Sequence, residues 1–379
     1  MAKKPAAKKA SARAIPPRYS SYRPGDNDRR SEPEPEAPIE LKPAGWRKII
    51  LRTFVILLAA TIIFSVVIAA WDARNITSAS RKMFGSGSLL ELINPRPVKT
   101  DSYGRVNVLL VGYSIDDPGH PGSTLTDSII LLSMDGTKHS GFMLSIPRDL
   151  YVKIHGFGYG KINEAYKDGG MPLLARIVSQ DFDTPIGYYA LIDYAAVRQT
   201  VDALGGITVD IHSNDPRGLY DPNISKADGG PLKLSNGKHV IDGQTALNLT
   251  RARGDPCGCG LYAYGFGQSD FDRTQHQRQV FTAIKDKLNW KLILNPLKNG
   301  RILQAASDNI RTDIKADEIR TIFSTFNDIP SSKLESLSLR DLNGINYLAS
   351  THYSGDTLTP AAGLGDYSGI IAALNRMKQ

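Results

Sequence analysis

Nineteen consecutive residues carry no charge: TFVILLAATIIFSVVIAAW, residues 53–71. At about 1.5 Å per residue in a helix, such a run crosses the hydrocarbon core of a bilayer with little tilt. Arg47, Lys48 and Arg52 precede it, and Trp71 and Asp72 close it. Basic residues favour the cytoplasmic side, and Trp favours the membrane interface. The expectation is one transmembrane helix, residues 49–71, in the cell membrane, with the N-terminus cytoplasmic and residues 72–379 extracytoplasmic. A cleaved signal peptide is the alternative, but it has a shorter apolar core and a much shorter leader.

Charge divides at the same place. Residues 1–52 hold 13 Lys/Arg against 6 Asp/Glu, whereas the remainder holds 33 against 32. Of the net charge of +8, the N-terminal segment therefore carries +7 and the remainder +1. Residues 1–48 are rich in Lys, Pro, Ser, Ala and Glu and poor in large aliphatics. Such a segment buries too little surface to offset its ordering entropy and reads as a disordered basic cytoplasmic tail. A basic tail suits an anionic inner leaflet. Nucleic acid is not an expected partner, because the nearly neutral remainder carries no basic stripe. The chain has two cysteines, Cys257 and Cys259, in PCGCG. Outside the membrane a local disulfide is permitted, and free thiols remain open. Two cysteines are too few for a structural zinc by themselves.

Residues 72–104 read as a stalk and lead-in, with breakers at GSGS (85–88) and NPRP (94–97). Beyond them, short apolar runs at 106–112, 127–134, 140–146, 187–193 and 205–211 predict buried strands. Amphipathic spacing predicts helices over 171–182, 193–204, 242–253, 272–290, 315–326 and 367–377, with a late strand at 334–339. Asp193 and Asp242 are placed to cap two of these helices, and Gly205 to end one. The pattern predicts an α/β fold: an α-β-α layered domain over residues 105–379 with a central mixed sheet covered on both faces.

One stretch poses a chemical problem. In GFMLSIPRDLYVKI (141–154), Arg148 closes an apparently buried strand. A charge there costs several kcal/mol unless an anion meets it. Lys161, Arg251, Arg253, Arg273 and Arg278 also sit at ends of predicted elements or beside them. In an open α/β sheet, strand ends and adjoining loops form the ligand crevice. Arginine's planar fork suits phosphate and keeps its charge. Each residue also has a plainer reading. Arg148 and Asp149 could pair locally. Arg251 and Arg253 could complement a helix dipole. Arg273 and Arg278 could lie on a solvated face beside Asp270 and Asp272, and Lys161 could be a surface residue.

The ordered set VNVLLVG, TDSIILLSM, SIPRDLYVKI, KINEAY, VDALGGITVDI, IDGQTALNLTRARGD and DFDRTQHQRQ is similar to that of the LytR-CpsA-Psr family, strongly over about residues 105–290. The resemblance implies an extracytoplasmic catalytic domain on a single-pass anchor. It implies a phosphotransferase that moves a glycopolymer from a polyprenyl-pyrophosphate carrier to a peptidoglycan acceptor. Wall teichoic acid, capsule and arabinogalactan are the family's typical polymers. By the same resemblance, Mg²⁺ assists transfer, with Asp127 as its ligand; Asp116, which stands where the family has an arginine, or its neighbour Asp117 could take the place of a second acid that the family has at position 114. Arg148, Lys161, Arg251, Arg253, Arg273, Gln277 and Gln279 bind the pyrophosphate, and Asp127, Arg148, Arg251 and Arg253 take the catalytic role.

Three positions depart from the family's pattern. Ser114 stands where it has an acid, Leu125 where it has an arginine, and His276 where it has the arginine of an Arg-Gln pair. These departures keep open a non-catalytic polyprenyl-phosphate-binding regulator of wall assembly. The Gly- and Tyr-rich stretch 254–269 reads as a loop at the mouth of the site, able to touch glycan through its tyrosines. A polyprenyl chain needs an apolar groove. Leu173, Leu174, Ile177 and Val178 could line one, although their spacing fits a core face better.

Overall fold

A computed structural model describes residues 96–113, 125–224, 229–254, 262–267, 270–288 and 308–379. The tail, the uncharged run at 53–71, Ser114, Asp116 and both cysteines lie outside these residues. Among the described residues no helix is long and apolar enough to cross a membrane.

The apolar runs form a mixed six-stranded sheet. Its strands are β1 (Val106–Tyr113), β2 (Thr126–Asp135), β3 (Ser140–Ile146), β6 (Tyr188–Asp193), β11 (Ile310–Thr312) and β12 (Leu334–Ser338), in the order β11-β6-β1-β2-β3-β12. β1 pairs antiparallel with β2 and parallel with β6, while β12 runs parallel to β3. Continuous apolar runs, rather than alternating ones, follow from burial on both faces. One face sends Leu109, Leu131 and Leu144 against α1 (Ala165–Asp181) and α6 (Ser368–Lys378). The other sends Val108, Ile130 and Met143 toward α5 (Ala316–Asp328) and toward Phe281 of α4 (Asp270–Lys287). Leu174, Ile177 and Val178 belong to the first core, so the groove-lining alternative gives way to an ordinary core face. Truncating Leu131, fully buried in the centre, would cost about 2–5 kcal/mol.

A third core joins α2 (Tyr194–Ala203), α3 (Gly243–Arg251) and α4 to the pair β7 (Ile207–Ile211) and β10 (Gly237–Ile241). Local chemistry explains the helix ends. The Asp193 carboxylate accepts from Ala195 N–H at 3.2 Å, and that of Asp242 from Thr245 N–H at 2.8 Å. α2 ends before Gly205, whose φ of 71° an L-residue adopts at a cost. Gly169 and Gly170 break α1 into two segments. Pro172, in the first turn of the second segment, forfeits only a hydrogen bond that a helix start lacks anyway.

Short hairpins complete the domain: β4 (Tyr151–Ile154) with β5 (Gly158–Lys161), β8 (Leu219–Asp221) with β9 (Leu232–Leu234), and β13 (Leu348–Thr351) with β14 (Thr357–Pro360). The end of the lead-in runs along the domain. Arg96 pairs with Asp317 at 2.8 Å, and Lys99 N–H donates to the Tyr188 hydroxyl at 2.8 Å.

Candidate functional site

Pro147 ends β3 by removing a backbone donor, and the next residue is Arg148. Its guanidinium meets three carboxylates from three elements. Asp127, near the start of β2, lies at 3.1 Å; Asp149 at 3.5 Å; and Asp270, the first residue of α4, at 3.9 Å. Burial alone would lower the Arg148 pKa, but Asp270, Asp149 and Asp127 together raise it. The local pair with Asp149 exists, yet it is one contact of a larger network. Arg148 Nε is buried without a hydrogen bond.

The other predicted cations gather at the same place. Lys161, last residue of β5, binds Asp149 at 2.8 Å. Arg253 lies 3.6 Å from Asp270, and Arg273 reaches it at 2.8 Å, one helical turn along α4. Arg273 also donates to the Asp127 carbonyl at 3.0 Å. Arg251 ends α3 and stacks over the Tyr194 ring at 5.2 Å. Among the described residues, four of these cations, Arg148, Lys161, Arg253 and Arg273, share three carboxylates, which leaves the network positive. Arg253 registers the excess. Burial and the like charges of Arg273 and Arg148 lower its pKa despite Asp270 and Asp127. Arg253 and Arg148 remain 25% and 24% exposed, open to a ligand, whereas Arg273 at 2% is sealed.

Two predicted residues are placed elsewhere. Gln279 points away from the cluster and donates to the Asp210 carbonyl in β7. It lies two positions after Gln277, about 200° around the helix, so α4 cannot present both on one face. Arg278 is not on a solvated face. It is buried between Ser145 of β3 and Ser336 of β12, and burial pushes its pKa down to about 10. Gln277 donates to the Thr250 carbonyl at 3.1 Å, with its own oxygen buried and unpartnered. His276 packs edge-on to Phe266, and burial followed by the Arg278 charge lowers its pKa to about 4. The position where the family has a permanent cation is therefore neutral. Leu125 is half-buried just ahead of β2. In the 254–269 stretch, Tyr264 stacks on Tyr220 beneath Arg217, and Tyr262 is exposed.

Three contributors were not singled out from sequence. Asp270 is the shared counter-ion, and its place in the first turn of a helix beside Arg273 was the available signal. Asp221 in β8 is buried, and its Oδ2 accepts from the N–H groups of Arg253 and Gly254 at 2.8 and 3.0 Å. It fixes the backbone that carries Arg253, and no local pattern announces it. Tyr194, at the start of α2, is half-buried. Burial first, then the Asp127 charge, lifts its pKa to about 12 against the pull of Arg273, Arg251 and Arg253. Its hydroxyl stays protonated at neutral pH and available as a donor.

Tyr194 also lines a second feature. An apolar cleft, open to solvent, lies between the sheet and α4. Leu110, Ile130, Ile192, Val197, Val280 and Phe281 form its walls. Its polar end holds Ser128, Thr250 and Gln277, the first two adjoining Asp127 and Arg251 in the chain. A cationic pocket and an apolar cleft thus meet at one tyrosine.

The LytR_cpsA_psr family model matches residues 73–360. The chain belongs to that family. A teichoic acid transferase of Enterococcus faecalis, polyisoprenyl-teichoic acid–peptidoglycan teichoic acid transferase TagU, is 27% identical over 302 residues, covering 78% of this chain and 91% of the relative. Regulatory protein MsrR of Staphylococcus aureus is 30% identical over 211 residues, covering 55% of this chain and 56% of its own. Among solved structures, Bacillus subtilis YwtF (TagT) with bound octaprenyl pyrophosphate lipid shares the fold, with a TM-score of 0.51 and 22% identity over 75% of this chain and 93% of that one.

Proposed function

We propose that this protein is a membrane-anchored phosphotransferase that moves a glycopolymer from a polyprenyl-pyrophosphate carrier to peptidoglycan. The observation that carries the reading is the junction at Tyr194 of a net positive pocket with an apolar cleft. A lipid diphosphate has those two halves in that order. The name of the TagU relative supports the reaction class. On this reading Arg148, Lys161, Arg251 and Arg253 hold the diphosphate, with Tyr194 donating to it, while the sealed Arg273 fixes Asp270 and the Asp127 carbonyl behind them. An acceptor hydroxyl attacks the sugar-side phosphorus. The new P–O bond forms as the bond to polyprenyl phosphate breaks, and the hydroxyl proton passes to solvent. Preorganised cations stabilise the charge that develops on the phosphoryl oxygens.

Mg²⁺ fits the donor set in a limited way. Among the described residues no group of three His, Cys, Asp or Glu side chains could hold a metal. Mg²⁺ needs only one or two carboxylates beside substrate phosphates and water, and Asp127 supplies one. Asp116 would be the second. The bound ion would draw charge from the phosphoryl oxygens. Residues 53–71 would anchor the chain, with residues 1–48 cytoplasmic and the domain outside.

The test uses the full chain in detergent with a polyprenyl-pyrophosphate-linked glycan and a peptidoglycan acceptor. Mg²⁺-dependent transfer that Arg253→Ala abolishes is the expected result. A second reading, a non-catalytic lipid-phosphate-binding regulator, is favoured by the neutral His276 and by Leu125. Tight lipid binding with neither transfer nor pyrophosphate cleavage would select it.

A further inference from the structure

The β4–β5 hairpin has two faces. Val152 and Ile154 point into the core. Tyr151, Lys153, Tyr159 and Lys161 occupy the other face, Tyr151 paired in register with Lys161 and Lys153 with Tyr159. The Tyr151 ring stacks at 5.9 Å on Tyr159, with planes 24° apart. It also stacks at 5.2 Å on Tyr353, from the turn between β13 and β14, with planes 12° apart. Tyr159 and Tyr353 are 51% and 59% exposed. Three nearly parallel rings on an outward face are a marked surface, since large exposed apolar groups that cluster mark interaction sites.

The row is built into the site's own scaffold. Lys161 binds Asp149, which precedes Tyr151 by two residues. Leu358 N–H of β14 donates to the Asp149 carbonyl at 3.0 Å, so the turn bearing Tyr353 is tied to the strand end bearing Arg148. The four residues that the hairpin turns outward, Tyr151, Lys153, Tyr159 and Lys161, are aromatic or cationic. With Tyr151 stacked against both neighbours, this face offers the exposed rings of Tyr159 and Tyr353, edged by phenol hydroxyls and by the ammonium group of Lys153. A pyranose with equatorial substituents presents a face of polarised C–H bonds, which suits the negative face of an aromatic ring. Its hydroxyl and acetamido groups then meet the polar edge.

We propose that Tyr151, Tyr159 and Tyr353 form a docking platform for the acceptor, a peptidoglycan glycan strand of N-acetylated hexosamines. The proposal rests on the transferase reading above and adds where the acceptor lies. The lipid cleft opens on the sheet face of Leu110 and Ile130, and the hairpin packs against the opposite face with Leu109 and Leu131. In-line displacement at phosphorus places attacking and leaving oxygens on opposite sides. A polyprenyl phosphate leaving toward the cleft therefore requires the acceptor to enter from the platform side.

The test titrates full-length protein in detergent with soluble, uncrosslinked peptidoglycan glycan strands, and separately with octaprenyl pyrophosphate. Tyr353→Ala and Tyr159→Ala are each expected to weaken strand binding about threefold to tenfold, as loss of one stacked ring implies. Tyr353→Phe, which keeps the ring and drops the hydroxyl, is expected to fall between wild type and Tyr353→Ala. Lipid binding and melting temperature are expected to be unchanged in all three. Strand binding equal to wild type in the Tyr159→Ala/Tyr353→Ala double variant overturns the platform. So does a parallel loss of lipid affinity, which would place the tyrosines in the donor site. Conversion of a self-associated wild type to monomer by the same variants overturns it as well, making the row a contact between copies. Arg253→Ala gives the mirror result, lipid affinity lost and strand affinity kept. Should Arg253→Ala leave lipid affinity intact while the tyrosine variants lose the strand, the platform stands and the pyrophosphate assignment falls.

Discussion

Arg105 and Arg253 are both arginines with restricted access to water, and their surroundings are opposites. Arg105 is 2% exposed, with Nε donating to the Ser133 hydroxyl at 2.8 Å, Nη2 to the Ser133 carbonyl at 3.1 Å, and Asp135 at 3.7 Å. Its donors are met by fixed protein groups in one strand. Arg253 is a quarter exposed, shares Asp270 with two other arginines, and has its pKa lowered partly by their charge. One arrangement completes a fold. The other leaves positive charge uncompensated and accessible, which is what an anionic ligand requires.

Removing each side chain separates the two. Arg105→Ala removes the counter-ion of the buried Asp135, which keeps the N–H groups of Thr137 and Lys138, and a stability loss of about 1.5–3 kcal/mol is expected in chemical denaturation. A loss below 1 kcal/mol would mean that the pair is solvated and the contrast is wrong. Arg253→Ala is expected to weaken polyprenyl-pyrophosphate binding by about 1.5–3 kcal/mol while the melting temperature holds or rises, because like-charge repulsion is relieved. A variant that binds normally but melts early would move Arg253 into the Arg105 class.

His276 belongs to neither class, being half-buried and neutral. Its pKa falls from about 6.5 unfolded to about 4 folded. Below pH 6.5 the unfolded chain takes up a proton that the folded chain refuses, so stability is constant above that pH and declines as pH drops toward 4. The expected loss between pH 6.5 and 5 is about 2 kcal/mol, and His276→Gln should flatten the slope. A slope unchanged in the variant would assign it to other groups. The smallest effect concerns Asp221. Asp221→Asn keeps an acceptor for the Arg253 and Gly254 N–H groups but loses its charge, and lipid affinity should fall by about 1 kcal/mol. Equal losses for Asp221→Asn and Arg253→Ala would show that loop placement, not the guanidinium, dominates.

Long elements were legible because their periodicity is strong. β1, β2 and β3 emerge from VNVLLVG, TDSIILLSM and SGFMLSI within a residue or two of their observed ends. α2 and α3 begin where Asp193 and Asp242 announce them. The hairpins β4–β5 and β8–β9 were not legible, because strands of three or four residues are too short to display a period. At the site, residues at strand ends and helix termini could be read as converging, and Arg148, Lys161, Arg253 and Arg273 do converge. Gln279 was misplaced because motif adjacency ignores the turn of a helix. Arg278 and Arg273 both looked solvent-facing beside Asp270 and Asp272, and only tertiary packing reveals their burial. The stacking of Tyr353 on Tyr151 joins residues 202 positions apart and has no local trace.

Asp270 holds the guanidinium groups of Arg148, Arg253 and Arg273 within 4 Å before any ligand arrives. An incoming diphosphate therefore enters by exchange, displacing one resident anion from shared partners instead of shedding a full complement of mobile counter-ions. Capture at this pocket should respond to ionic strength less steeply than four cations would suggest. The protein thus carries its own electrolyte into the site.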